Sequence, residues 1–207
     1  MTMFYDILDE QRKRMLPVFK QFKDRFYLAG GTGLALQIGH RDSIDFDFFT
    51  PEHIDTAAFF ATLSEAFTGK KIMRTMEEKD SLGLLLEDAI RLSFLRYPYD
   101  MLNPLFNEEY LRIASIEDIA CMKLSAIVSR ASWKDYIDLF FVMKKIPLSR
   151  LLGQMHKKIP ELDENLVLKS LVYYDDVPDE DVMFKRGASV SRNEVERFLE
   201  NEVKALA

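Results

Sequence analysis

Between residues 30 and 47 two residue patterns suited to handling phosphate follow one another. The first is Gly30-Gly31-Thr32, set between a short apolar run, Arg25 to Ala29, and a helix-like stretch, Thr32 to Ile38. Glycine lets backbone amides come close to a ligand, and the start of a helix favours negative charge. Paired glycines also serve simply as a turn, so this pattern alone leaves both readings open. The second is Asp45-Phe46-Asp47. In an extended strand, successive side chains point to opposite faces, so Ser43, Asp45, Asp47 and Phe49 share one face and Ile44, Phe46 and Phe48 the other. Two neighbouring carboxylates repel unless a cation joins them. Magnesium suits the pair, because it takes oxygen ligands and is often held by one or two carboxylates, substrate phosphates and waters. Solvated acids at a strand end are the alternative.

These patterns need elements to hold them. The run to Ala29 predicts a buried strand, Thr32 to Ile38 a helix, and Ser43 to Phe49 a half-buried strand. An amphipathic helix is expected at the N-terminus, where Phe4, Ile7, Leu8, Met15, Val18 and Phe19 recur at helical spacing. Residues 55 to 67 read as a helix. Lys71 to Met76, Leu82 to Leu86 and Ala89 to Leu95 read as strands, the last two meeting at Glu87-Asp88. Ser115-Ile116-Glu117-Asp118 matches a capping box opening a helix that runs to about Arg130. Another helix covers Lys134 to Met143, and the remainder is helical apart from a solvated acidic loop at Asp175 to Asp181. The fold class is α+β (mixed α/β): one lobe over residues 1–104, then a helical region over 105–207.

Composition narrows the class. With 48% hydrophobic and 30% charged residues the chain has the balance of a folded globular protein, and no apolar run approaches the ~20 residues of a membrane helix. The single cysteine, Cys121, excludes an internal disulfide framework; with no signal-like segment at the N-terminus, the expected location is cytoplasmic. A net charge of -6 gives no global attraction to polyanions, so any nucleic acid must be met by a local patch or through a metal. No Walker-type loop or metal-binding cysteine pair is present. His40 has no Cys, Ser or second His at a useful spacing and is assigned to a turn.

Thirteen residues separate Gly31 from Asp45, and the order strand, glycine pair, helix, acidic strand assembles a phosphate cradle opposite a metal site. This segment, GGTGLALQIGHRDSIDFDFF, resembles the signature of the nucleotidyltransferase superfamily, specifically the AbiEii-like toxins of abortive-infection and toxin-antitoxin systems. The resemblance resumes at DIACMKLSAIVSRASWKDYIDL, with Lys123, Arg130, Lys134-Asp135 and Asp138. Lys123 lies within an apolar helical stripe of Ile119, Ala120, Ala126 and Ile127, and so needs an anion or a route to solvent. Asp135 and Asp138 share a helix face, either as ion-pair partners of Lys134 or Arg130 or, as the resemblance favours, with Asp135 orienting Lys123 or contacting nucleotide.

The resemblance implies a nucleotidyltransferase-type lobe with a small mixed sheet and a helical region that completes the cleft. In it Asp45, Asp47, Lys123 and Asp135 are the catalytic group, with Mg2+ or Mn2+ on Asp45 and Asp47. Gly30, Gly31, Thr32, Arg41 and Ser43 bind the NTP, Arg41 by bidentate phosphate contact unless it is a surface arginine. It also implies an acceptor such as a tRNA end and an antitoxin partner, with protein or small-molecule acceptors and a non-catalytic binding protein as alternatives. Lys144, Lys145, Arg150, Lys157 and Lys158 could meet RNA or form a solvated face. Two departures stand out: Arg91 and Ser93 occupy the strand where a third carboxylate is common, and Gly31 replaces the usual serine.

Overall fold

A computed structural model describes residues 2–130 and 132–206. Among them seven strands form one mixed sheet: β1 (Tyr27–Leu28), β2 (Phe46–Thr50), β3 (Ile72–Glu78), β4 (Ser81–Leu86), β5 (Ile90–Arg96), β6 (Phe106–Asn107) and β7 (Arg112–Ile113). Their order is β3-β4-β5-β2-β1-β7-β6. The neighbours β2 and β5 are parallel, as are β1 and β7, and the other pairs are antiparallel. The β4–β5 hairpin turns at Glu87 and Asp88, whose φ angles of 52° and 56° are those of a type I′ turn.

The helices are α1 (Glu10–Lys13), α2 (Leu16–Phe19), α3 (Gly30–Ile38), α4 (Thr56–Ala66), α5 (Ile116–Ser129), α6 (Trp133–Met143), α7 (Leu148–Lys158), α8 (Glu164–Leu171) and α9 (Arg192–Lys204). Two cores result. One is aromatic: Phe19, Phe22, Phe26 and Phe59 from the N-terminal segment and α4 meet Phe46, Phe48 and Phe94 of the sheet, with ring centroids of Phe19–Phe46 and Phe59–Phe94 both 4.9 Å apart edge to face. Such pairs add about 0.5–1.5 kcal/mol each beyond area burial. The other core joins α5 to α9 around Leu124, Tyr136, Leu139 and Leu151. Helix α3 sits between them, giving Leu34 to the helical core and Ala35 and Leu36 to the aromatic one. The mixed α/β architecture is therefore as the sequence predicts.

Several local expectations need correction. The N-terminal helix is broken into short pieces, because Asp9 caps α1 and Pro17, with no N–H, opens α2 afresh. Its Arg12 turns inward, donating to the carbonyls of Ile44 (2.6 Å) and Ala89 (2.9 Å). Strand β2 starts at Phe46, so the alternation does not extend back to Ile44, which is exposed. The glycine pair lies inside the first turn of α3 and is not a separate turn ahead of it. Ser115 caps α5 through the Asp118 amide, but the reciprocal half of a capping box is missing: the Asp118 carboxylate instead takes the amides of Leu102 and Asn103, the Ser115 hydroxyl and the ammonium of Lys158. Lys158 is thus buried and leaves the basic patch.

Candidate active site

The parallel pairing of β2 with β5 puts Asp47 opposite Ser93, a hydroxyl residue whose nearness works against the burial that raises the Asp47 carboxyl. On the other side β1 leads directly into α3. Gly30 there adopts a left-handed φ of 60°, and a Cβ on it would lie 2.6 Å from Asp47 Oδ2. Only glycine lets the helix start abut that carboxylate. A Cβ on Gly31 would lie 2.5 Å from Nη2 of Arg41, so the space a serine would take at this position is filled by a guanidinium. Thr32 lies beneath, 1% exposed. Its hydroxyl donates to the Asp45 carbonyl and lies 2.7 Å from Ser43 Oγ in a second hydrogen bond, which fixes the loop carrying Asp45.

Helices α5 and α6 supply the opposite wall. Lys123 is buried and forms ion pairs with Asp135 and with Asp138 Oδ2 at 2.7 Å. Asp138 also takes Arg41 in bidentate fashion (Nε 2.7 Å, Nη2 2.8 Å) and His40 Nε2 at 2.8 Å. Arg130 Nε pairs with Asp135 at 3.1 Å. Burial would raise the Asp138 carboxyl, but Arg41, Lys123 and the His40 hydrogen bond hold it well below its ordinary value. Burial would likewise lower Lys123, yet Asp138 and Asp135 keep its ammonium above the usual range. Burial pushes His40 down, against the pull of Asp138. Desolvation raises Asp47, helped by nearby Asp45 and opposed by Ser93 and Lys123.

Both walls enclose one open cavity of about 470 Å³, lined by Gly31, Arg41, Ser43, Asp45, Asp47, Lys123 and Asp135 among others. Gly30 and Thr32 stand just behind this lining. Arg41 is buried and held by Asp138, so it is neither a surface arginine nor a mobile one. His40, in the turn just after α3, buries its ring in the charge cluster. The acidic loop is also more than solvated: Glu180 bonds Ser132 (2.8 Å) and Lys134 (3.3 Å) and lines the cavity with Asp181, while Asp179 pairs with Arg192. Arg91, on the strand that lacks the third acid, also lines the cavity; Glu180 is a lining residue that periodicity could not select, because the 180s strap reaches the cavity through backbone pairing, Asp42 N to Met183 O at 2.9 Å and Lys185 N to His40 O at 3.0 Å.

Asp45 and Asp47 fit a divalent ion of the magnesium type: both line an open polar cavity, and neither has an ion-pair partner among the described residues. Among the described residues no group of three or more candidate protein ligands is found; magnesium is often held by one or two carboxylates together with substrate phosphates and water.

Residues 17–203 match the family model described as nucleotidyl transferase AbiEii toxin, type IV toxin-antitoxin system. The chain belongs to the AbiEii nucleotidyltransferase family. An uncharacterized protein of Aquifex aeolicus is 40% identical over 185 residues, covering 86% of each chain. Among solved structures, JHP933 from Helicobacter pylori shares the fold at 19% identity and a TM-score of 0.52, over 96% of this chain and 94% of that one. MenT4, a nucleotidyltransferase toxin from Mycobacterium tuberculosis, does so at 14% identity and a TM-score of 0.60, over 93% and 80%. This AbiEii member is accordingly a nucleotidyltransferase, with the charged cavity as its candidate site. No helix among its described residues is long and apolar enough to cross a membrane.

Proposed function

We propose that this cavity transfers a nucleotidyl group from an NTP to RNA, a tRNA end being the acceptor, in a magnesium-dependent reaction that makes the chain the cytoplasmic toxin of an antitoxin pair. The observation that carries the reading is the convergence in one cavity of the acid pair Asp45 and Asp47, the start of α3 and the buried Lys123. In this reading residues 1–104 supply the acids and the phosphate cradle, and residues 105–207 supply Lys123 and Asp135.

When bound, the metal neutralises charge on the triphosphate and polarises the α-phosphorus. Asp45 and Asp47 would hold it. The α3 start at Gly30 and Gly31, with Thr32 fixing the loop and Arg41 and Ser43 on the wall, faces the leaving phosphates. Lys123 presents a fixed positive charge that Asp135 and Asp138 keep protonated and oriented. The acceptor oxygen bonds to the α-phosphorus, the bond to the β-phosphate oxygen breaks and pyrophosphate leaves.

The test compares wild type with Asp47→Asn and Lys123→Ala, each checked for folding, by incorporation of each labelled NTP into a tRNA pool and by growth inhibition on expression. Both activities are expected to fall together by about 10²–10³-fold, the scale of losing one preorganised charge. Ser93 in register with Asp47, where an acid would be a third ligand, favours a second reading: nucleotide binding without turnover. Unaltered toxicity in both folded variants, with no labelling by wild type, would establish that one, and robust labelling of a small molecule instead of RNA would move the acceptor class.

A further inference from the structure

The acid pair stands between two unlike walls. In the order β5-β2-β1, β2 has on one flank β1, which runs into α3, and on the other β5. Asp47 abuts Gly30 on the first flank. On the second, Ser93 faces Asp47, and Arg91, two residues earlier on the same face of β5, lines the cavity beside the acids.

The other cations of the lining are all engaged: Arg41 with Asp138, Lys123 with Asp135 and Asp138, Arg130 with Asp135, Lys134 with Glu180. Arg91 is exposed, and among the described residues it has neither an ion-pair nor a side-chain hydrogen-bond partner. A guanidinium left free in a cavity whose other cations are all paired is an open site for an anion, and its planar fork suits phosphate.

Displacement at the α-phosphorus sets the attacking and leaving oxygens roughly in line on opposite sides of it. With the leaving phosphates against α3, the acceptor hydroxyl enters from the β5 flank, where Arg91 waits. We infer that Arg91 is a specificity-determining contact for the acceptor, gripping a phosphate next to the attacking hydroxyl, and that it selects an RNA end. A cationic small molecule would be repelled there, and an unphosphorylated protein hydroxyl brings no anion to bind. This inference rests on the transfer reaction proposed above. The acceptor oxygen gains its bond to phosphorus, pyrophosphate takes the electron pair of the broken bond, and the hydroxyl proton passes to water in the open cavity.

The probe is a 5′-fluorescein-labelled tRNA pool, followed by anisotropy in magnesium without NTP, for wild type, Arg91→Ala, Arg91→Lys and Arg91→Glu. Folding is checked by circular dichroism, and NTP binding is titrated separately. Arg91→Ala should weaken tRNA binding about tenfold and reduce the log-log salt slope by about one, as loss of one phosphate contact requires. Arg91→Lys should restore the slope and part of the affinity, Arg91→Glu should weaken binding further, and NTP affinity should hold throughout. In turnover, the KM for tRNA should rise with kcat unchanged. Unchanged tRNA affinity and slope, or loss of NTP affinity in their place, would overturn the assignment. The two proposals fail separately: wild type that binds tRNA through Arg91 yet transfers nothing sinks only the transfer reading, and transfer that ignores Arg91 sinks only this one.

Discussion

Asp138 holds Arg41, Lys123 and His40 at once; without it Arg41 would be a buried charge with no carboxylate partner, His40 would lose its acceptor, and Lys123 would keep only Asp135. Removing one partner of a buried charge cluster costs about 3–5 kcal/mol, because the remaining charges stay desolvated. Asp138→Asn should therefore lower stability by that order at neutral pH in urea unfolding. The sign with pH follows from the depressed carboxyl: its stabilisation is present above the ordinary value of 3.8 and lost as pH falls through the lower folded value, so wild type and variant should converge only in strong acid. His40, also depressed by burial, works in a milder window. The unfolded chain takes up a proton below about 6.5 that the folded site resists, so stability should fall as pH drops from there. His40→Gln, which keeps a donor for Asp138, should flatten that part of the pH curve.

At the scale of elements, the sequence was most informative where side-chain period and turn chemistry agree. The strands β3, β4 and β5 and helices α4 to α6 lie where apolar spacing places them. The acid pair and the glycine pair were legible by type and order. What spacing could not show was pairing across the chain: that Asp138 belongs with Arg41, that Thr32 pins the Asp45 carbonyl, and that Glu180 reaches Lys134. Those contacts join residues 13 to 97 positions apart and leave no periodic trace. The β4–β5 turn offers a check on element energetics. Glu87 and Asp88 both take left-handed backbone angles, which cost a non-glycine residue about 1–2 kcal/mol. Asp88→Gly should raise the melting temperature, since the lost ion pair with Lys71 is solvent-exposed and contributes little. A lowered melting temperature would show that turn strain is not limiting.

For the whole molecule, the cavity is lined from β2, β5 and the start of α3 on one side and from α5 and α6 on the other, so a ligand there touches elements of both cores. An NTP bound in magnesium at about 100 times its Kd should add about 2.7 kcal/mol to unfolding stability, read as a cooperative rise of one transition. Two separated transitions, with only one rising, would mean the cores unfold independently. Arg12 adds another kind of tie. Its guanidinium spans from the N-terminal segment to the carbonyls of Ile44, beside the acids, and Ala89, at the head of β5. The family match begins at residue 17, so a chain trimmed to the matched region would keep every cavity-lining side chain and lose this cross-brace. Trimming would then act as a remote mutation of the site: Asp45 and Arg91 would lose their common anchor, and a shortened enzyme that still melts cooperatively should bind both substrates less tightly than its intact lining suggests.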